Sequence, residues 1–412
     1  KVTFYSRCAL PYISEGEIES IEKTISPDPP RTKMLKGWRA VDVDPSGKTV
    51  TAQDLESGRE ETFQYDALII ATGSRPFIPP VPGKDLKGVY ALRTVDDLRG
   101  IQSAIKPGGK AVVVGARFIG LEVAAALKMK GMDVIVVELL PQIMDGVLDP
   151  ELAKTFQGYL EEKGLKIYLN SPIQEIHGQD KVEAVKAGDK KFDADLVVMA
   201  TGVRPRTELA QKAGAKTGRT RGIIVDERMR TTVEDIYAAG DCTEIKHLIT
   251  GTPWPTGLGT QAYRQGRVAG INAAGGDAVY PGTLGTCVTK IFDLEVASVG
   301  LTKAYAEKFG IKAVAATYRP YIKAEYYSED KAHIRLVARI PDGMVIGAQI
   351  MAPYEAGARA NIMAAAMMKG VTVEELTNYD FCYCPPVVNV IEGLAFAAEG
   401  LARRLARMKA KK

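Results

Sequence analysis

Short, dense apolar runs alternate along this chain with longer stretches whose apolar positions recur at helical spacing, the pattern of an α/β architecture. Residues 67–71 (Ala-Leu-Ile-Ile-Ala) predict a buried strand that stops at Thr72-Gly73-Ser74, ahead of a proline-rich connection from Arg75 to Pro82. Lys110 to Val114 predicts a second strand ending at Gly115, residues 118–130 an Ala- and Leu-rich helix, and Val134 to Val137 a strand ending at Glu138. Leu196 to Ala200, closed by Thr201-Gly202, and Ile236 to Ala239, closed by Gly240-Asp241, follow the same scheme. The Ala-Thr-Gly strand end at 71–73 recurs at 200–202, which points to two related nucleotide-binding units.

From residue 284 the pattern changes. Alternation in Ile334-Arg335-Leu336-Val337-Ala338 and in Met344-Val345-Ile346 predicts antiparallel strands, and Ala-rich stretches at 357–369 and 390–408 predict helices. A separate α+β domain is expected over 284–412. A chain of 412 residues is in any case too long for one ordinary core.

Composition removes several function classes. Fifty-four basic against 50 acidic residues, dispersed along the chain, give no electrostatic footprint for nucleic acid. No apolar run reaches the roughly 18 residues of a membrane span, and Lys1-Val2-Thr3-Phe4 is no signal peptide, so a soluble, cytoplasmic protein is expected. The basic stretch from Leu401 (Arg403, Arg404, Arg407, Lys409, Lys411, Lys412) reads as a solvated helix end or as a contact for acidic lipid. Cys8, Cys242, Cys287, Cys382 and Cys384 are too scattered for a disulfide framework, and no Cys-x-x-Cys occurs. His177, His247 and His333 lie far from further ligand residues, so no zinc site is expected.

The richest motif is Val112-Val113-Val114-Gly115-Ala116-Arg117-Phe118-Ile119-Gly120-Leu121-Glu122. It leaves a strand and opens a helix, and Glu138 ends the next strand at the usual remove of about 20 residues. The helix N-terminus offers amides and a positive dipole end to a pyrophosphate. Glu138 suits ribose hydroxyls and repels a 2′-phosphate, which favours NADH over NADPH. Arg117 occupies the place of the middle glycine, where its side chain either crowds the phosphates or pairs with them; a βαβ unit without a nucleotide is the alternative. The Thr-Gly ends at 72–73 and 201–202 bring small backbone to the carboxyl edge of a sheet, where open α/β folds bind ligands, or serve only as turns. Asp241 suits polyol hydroxyls, or caps the segment after it. Cys8, beside Arg7 and before a short turn, is either a nucleophile of lowered pKa or a small buried hydrophobe.

Taken together and in this order, the motifs resemble those of the pyridine nucleotide-disulfide oxidoreductases, single-cysteine branch, over essentially the whole chain. Cys8-Ala9-Leu10-Pro11-Tyr12 is similar to the redox-cysteine motif of the coenzyme A-disulfide reductases and related oxidases. Ala71-Thr72-Gly73-Ser74-Arg75-Pro76 and Ile236-Tyr237-Ala238-Ala239-Gly240-Asp241-Cys242 resemble FAD-contacting segments, and Gln261-Ala262-Tyr263-Arg264-Gln265-Gly266-Arg267 resembles the helix beside the flavin pyrimidine. Thr289-Lys290-Ile291-Phe292-Asp293-Leu294 resembles the opening of the dimerisation domain.

The resemblance implies two Rossmann-like FAD- and NAD(P)-binding domains and an α+β dimerisation domain. Their boundaries are 1–95 and 221–283 for FAD, 96–220 for NAD(P)H and 284–412 for dimerisation. It also implies roles: Cys8 as redox centre, Asp241 at the ribityl chain, Phe118 between nicotinamide and flavin, Glu122 near the nicotinamide, and Gly202 among the cofactor contacts. Tyr383-Cys384-Pro385-Pro386 is similar to the family's Tyr-Ala-Pro-Pro segment, whose tyrosine reaches the partner's redox cysteine; Tyr326 or Tyr327 resembles a second such tyrosine. The His-Glu pair of the glutathione-reductase branch has no match. Ahead of Cys8 the family's Gly-rich FAD motif has no counterpart, so either preceding residues are omitted or FAD is held less tightly.

The implied function is reduction of a small disulfide or related sulfur substrate of the coenzyme A disulfide type. It uses FAD, NADH (or NADPH) and possibly coenzyme A, in a homodimer whose active site is shared between chains. Alternatives are an NADH oxidase or peroxidase cycling Cys8 through sulfenic acid, and a flavin-binding redox sensor or electron-transfer protein.

Overall fold

The computed structural model describes residues 5–410, the side chain of Lys409 excepted. The expectations attached to Lys1–Phe4, Lys409, Lys411 and Lys412 fall outside it. The chain divides into two compact units: Lys1–Gly109 with Glu175–Ala184 and Ala194–Thr283, and Lys110–Gln174 with Val185–Asp193 and Leu284–Lys412.

In the first unit an antiparallel sheet joins Trp38–Asp44, Thr49–Asp54 and Glu60–Gln64. The apolar run at 67–71 forms the short strand Leu68–Ile70, paired parallel to Ile236–Ala238. Ile70, Ile236, Ala238 and Cys242 close a core with Val43, Ala210 and Ile223. The recurring Ala-Thr-Gly ends meet each other. Ser74–Pro76 runs antiparallel to Val203–Pro205, the Arg206 amide donates to the Gly73 carbonyl, and the Phe77 amide donates to that of Gly202, both at 2.9 Å. Thr72 Oγ1 donates to the Arg206 carbonyl and Thr201 Oγ1 to that of Phe77. The threonines recur because each ties down the other's flank.

A difference from expectation concerns Cys8. It lies in a 3-10 turn, Arg7–Ala9, that runs straight into the helix Leu10–Glu15, where a short turn was expected. Pro11 does not break this helix because it stands in the first turn, where its missing N–H is not needed.

In the second unit Lys110–Val114, Asp133–Val137 and Lys166–Tyr168 form a parallel sheet in that order. The helix Phe118–Met129 connects the first two. Leu121, Val123, Ala124, Ala125, Ala126 and Leu127 are sealed from solvent, and each such leucine contributes about 1.5–3 kcal/mol. The C-terminal residues form an antiparallel sheet in the order Cys287–Ile291, Leu294–Gly300, Val345–Ala352, His333–Arg339, Ala313–Tyr318. All eight residues of Val345–Ala352 are buried. The helix Ala356–Met367 packs on this strand, and Gly393–Ala410 covers His333–Arg339 and Ala313–Tyr318. The family expectation of an α/β chain with an α+β C-terminal domain therefore holds.

A buried carboxylate pins this unit. Asp149 accepts from Arg335 Nε and Gln349 Nε2 at 2.8 Å and from the Lys303 and Ala304 amides at 3.1 Å. Burial pushes its carboxyl up, but these donors and the Arg335 charge outweigh that and hold it below the usual carboxylate range. No helix among the described residues is long and apolar enough to cross a membrane.

Candidate active site

The dinucleotide motif of the second unit folds as its sequence predicts. Gly115 turns the chain off its strand at φ +107°, a conformation closed to residues with a Cβ. Arg117 takes the N-cap position with extended backbone, no side chain caps the helix, and its first turn has no acidic residue. The amides of Phe118, Ile119 and Gly120 therefore belong to the unpaired first turn. Gly120 is buried, Phe118 half-buried, Ile119 and Arg117 exposed. Arg117 lies close enough for its charge to pull down the Cys287 thiol and the Tyr305 hydroxyl, although burial dominates and both end raised, Cys287 to about 11. Glu122 accepts from Thr289 Oγ1 at 2.6 Å. The nearly buried Glu138 accepts from the Ala116 amide at 2.7 Å and the Leu140 amide at 2.9 Å. It thus braces the loop itself, with further lone pairs left on both oxygens.

The first unit assembles a second cluster from distant segments. Gly73 has φ +67°, and a Cβ added there would stand 3.9 Å from Arg7 Nη1 and 4.0 Å from Arg93 Nη2. Two guanidinium groups therefore flank this strand end, one of them belonging to the residue that precedes Cys8. Asp241 Oδ2 accepts from Arg93 Nη2 at 2.9 Å and from Ser74 Oγ at 3.0 Å. The Val95 amide donates to the Tyr5 hydroxyl at 3.3 Å and fixes the Cys8 segment near Arg93. The Gly240 amide donates to Gln265 Oε1 at 2.9 Å, and a Cβ on Gly240 would meet that of Ala262 at 3.6 Å. Gln261 is turned inward, donating to Thr283 Oγ1 at 2.8 Å. Exposed Arg75 pairs with Glu208, and Ala71 is exposed. Cys8 is a solvent-exposed thiol, which answers the alternative of a buried small hydrophobe.

Arg93 is absent from the sequence reading, which had only its place before the Thr94/Asp97 capping box as a signal. Its Nε is buried without a hydrogen bond in the described residues. An unsatisfied buried cationic donor beside a carboxylate and a strand-end glycine is the mark of a site built for a polar ligand. Small residues at 73, 240 and 262 leave room for that ligand's close approach. The residues present thus fit a flavin dinucleotide here and a nicotinamide dinucleotide at the Gly115 loop.

The predicted tyrosines of the second unit are exposed: Tyr326, Tyr327 and Tyr383. The Tyr326 and Tyr327 ring centroids lie 5.6 Å apart, and a hydrogen bond with Tyr383 raises the Tyr326 hydroxyl.

Comparison with known proteins agrees with this geometry. The family model for the pyridine nucleotide-disulphide oxidoreductases matches residues 1–270, and that for their dimerisation domain residues 286–395. The chain is 43% identical over 410 residues to an NADH oxidase of Methanocaldococcus jannaschii, covering 97% of this chain and 91% of that protein. It is 31% identical to a CoA-dependent NAD(P)H sulfur oxidoreductase of Pyrococcus furiosus, over 96% of this chain and 90% of that one. The solved structure of an NAD-dependent persulfide reductase from A. fulgidus superposes with a TM-score of 0.94 at 34% identity, covering 97% of this chain and 76% of its own. With the Gly115 loop, the Asp241 cluster and an α+β C-terminal sheet on the page, the chain belongs to the pyridine nucleotide-disulphide oxidoreductases, which work with FAD and NAD(P)H.

Proposed function

We propose that this FAD-dependent NAD(P)H oxidoreductase reduces a small disulfide or sulfane-sulfur compound through Cys8. The observation that supports the reading is the contact geometry of Arg7, Gly73, Arg93 and Asp241, which brings the residue before the exposed Cys8 to the strand end where FAD would lie. Gly73, Arg93, Gly240, Asp241 and Ala262 would hold the flavin, Asp241 offering its second oxygen to the ribityl hydroxyls. Gly115, the first-turn amides and Glu138 would hold the nicotinamide dinucleotide, and the carboxylate favours NADH. Bound FAD supplies a two-electron carrier between hydride donor and sulfur.

The chain's own part begins with Cys8. As the thiolate, the nucleophilic form, it attacks one sulfur of the substrate. That S–S bond breaks, a mixed disulfide forms at Cys8, and the first thiolate leaves. A tyrosine hydroxyl protonates it, with Tyr383 or its hydrogen-bonded neighbour Tyr326 in that role. Two electrons from NAD(P)H then release the second thiol and restore Cys8. The tyrosines would come from the partner in a homodimer, a reading supported by the dimerisation-domain match and by the exposed apolar side chains Val387, Val390 and Ile391 close in sequence to Tyr383. The named relative from Pyrococcus makes coenzyme A disulfide or persulfide the substrate class to try first.

A second reading, an NADH oxidase with Cys8 passing through sulfenic acid, is favoured by the name of the Methanocaldococcus relative. Anaerobic NADH consumption with coenzyme A disulfide, compared with consumption in air, separates the two. Cys8→Ser should lower disulfide reduction by about a thousandfold or more; undiminished turnover in that variant would overturn the assignment.

A further inference from the structure

Four thiols remain unused by that mechanism. Cys382 and Cys384 are exposed and flank Tyr383. Their surroundings differ from those of the other two: Cys242 is fully buried, and burial raises both its thiol and that of Cys287, the condition of an inert cysteine.

Cys384 stands on a rigid turn. It precedes Pro385, which confines it to extended backbone, and its carbonyl accepts from the Val387 and Val388 amides at 2.8 Å across Pro385-Pro386. The Pro385 carbonyl accepts from the Ala324 amide at 3.3 Å, and this anchors the turn to the segment of Tyr326 and Tyr327. Two thiols and three phenols therefore share one exposed surface of the second unit. In extended chain, at about 3.3 Å per residue, Cα atoms two apart lie about 6.6 Å from one another, at the upper end of the roughly 4.4–6.8 Å that a disulfide spans, and a bend at the intervening residue shortens that distance. Three hydroxyls beside them can protonate departing thiolates.

We propose that Cys382 and Cys384 form a second, substrate-facing dithiol that exchanges with low-molecular-weight disulfides. One thiolate attacks the substrate RS–SR, whose S–S bond breaks; a mixed disulfide forms and RS⁻ departs, taking a proton from a tyrosine. The other thiolate attacks the protein-side sulfur of the mixed disulfide and expels the second RS⁻. Cys382 and Cys384 are thereby oxidised to a disulfide by two electrons and RS–SR is reduced to two thiols. NAD(P)H with one further proton returns the pair to the dithiol through the enzyme's oxidoreductase activity. This last step rests on the assignment of Cys8; the loading step does not.

The test uses the full-length, FAD-loaded enzyme, reduced by NADH and freed of it anaerobically, with 5,5′-dithiobis(2-nitrobenzoate) as probe. Wild type should release two more thiolates per chain than the double variant Cys382→Ser/Cys384→Ser. Its peptide spanning 382–384 should resist iodoacetamide and be lighter than the dithiol by two hydrogens. Cys8→Ser should load in the same way but stay oxidised when NADH returns. If both cysteines remain alkylatable after the probe, or react only in denaturant, the dithiol is refuted whatever Cys8 does. If NADH reopens the pair in Cys8→Ser, the Cys8 assignment fails and the dithiol stands.

Discussion

The two candidate dinucleotide sites are built in opposite ways. The Gly115 loop of the second unit is made by one continuous stretch, closed on itself when Glu138 receives the Ala116 amide. The Asp241 site of the first unit draws Arg7, Gly73, Arg93, Gly240 and Ala262 from five separate segments. A local site depends on propensity and turn chemistry. A dispersed one depends on charges meeting in the finished fold, and one lost partner leaves another stranded in a poorly solvated place.

That contrast can be broken by substitution. Arg93→Met strips Asp241 of its cation, the larger insult; FAD affinity should fall by about a hundredfold or more, read from the flavin absorbance retained after gel filtration. Retention equal to wild type would show that the dispersed site is not held by this pair. Glu138→Ala acts on a loop that keeps its helix and glycine turn, so NADH affinity should fall by only about tenfold, with FAD content unchanged. An equal loss of both cofactors would erase the distinction.

Acid should sharpen it with the smallest effect. In the first unit, burial lowers His247 to about 4. Between its ordinary value of about 6.5 and that value the unfolded chain binds the extra proton, so stability falls as pH drops through this window, by about 1 kcal/mol from pH 6.5 to 5.5. In the second unit the depressed Asp149 carboxyl works lower: its contribution is complete above the unfolded carboxylate value of about 4 and is lost as pH falls through the folded one. Hydrogen exchange followed from neutral to acid pH should show amides around His247 loosening before those around Asp149. The reverse order would contradict both assignments.

The same contrast explains what could be read from the sequence. The strand Lys110–Val114, the helix from Phe118 and the strand reaching Val137 were legible because each is fixed by apolar spacing within a few residues. The Ala-Thr-Gly recurrence was visible, but its reason was not, since the partners of Thr72 and Thr201 lie more than a hundred residues away. Arg93 escaped notice because a lone arginine carries no pattern; only the fold sets it against Asp241. The helix after Cys8 was missed because Pro11 reads as a turn former until its place in the first turn is known.

The crossed ties at Gly73 and Gly202 have one more consequence. The backbone departs beyond Phe77 and comes home at Thr201, and departure and return are stitched side by side by Ser74–Pro76 and Val203–Pro205. The stretch Lys110–Gln174 between them hangs from a closed hem, so an excursion of any length there adds little strain to the cloth it leaves. Shortening the excursion within Lys110–Gln174, which belongs to the second unit, should spare the first unit far better than unpicking either threonine.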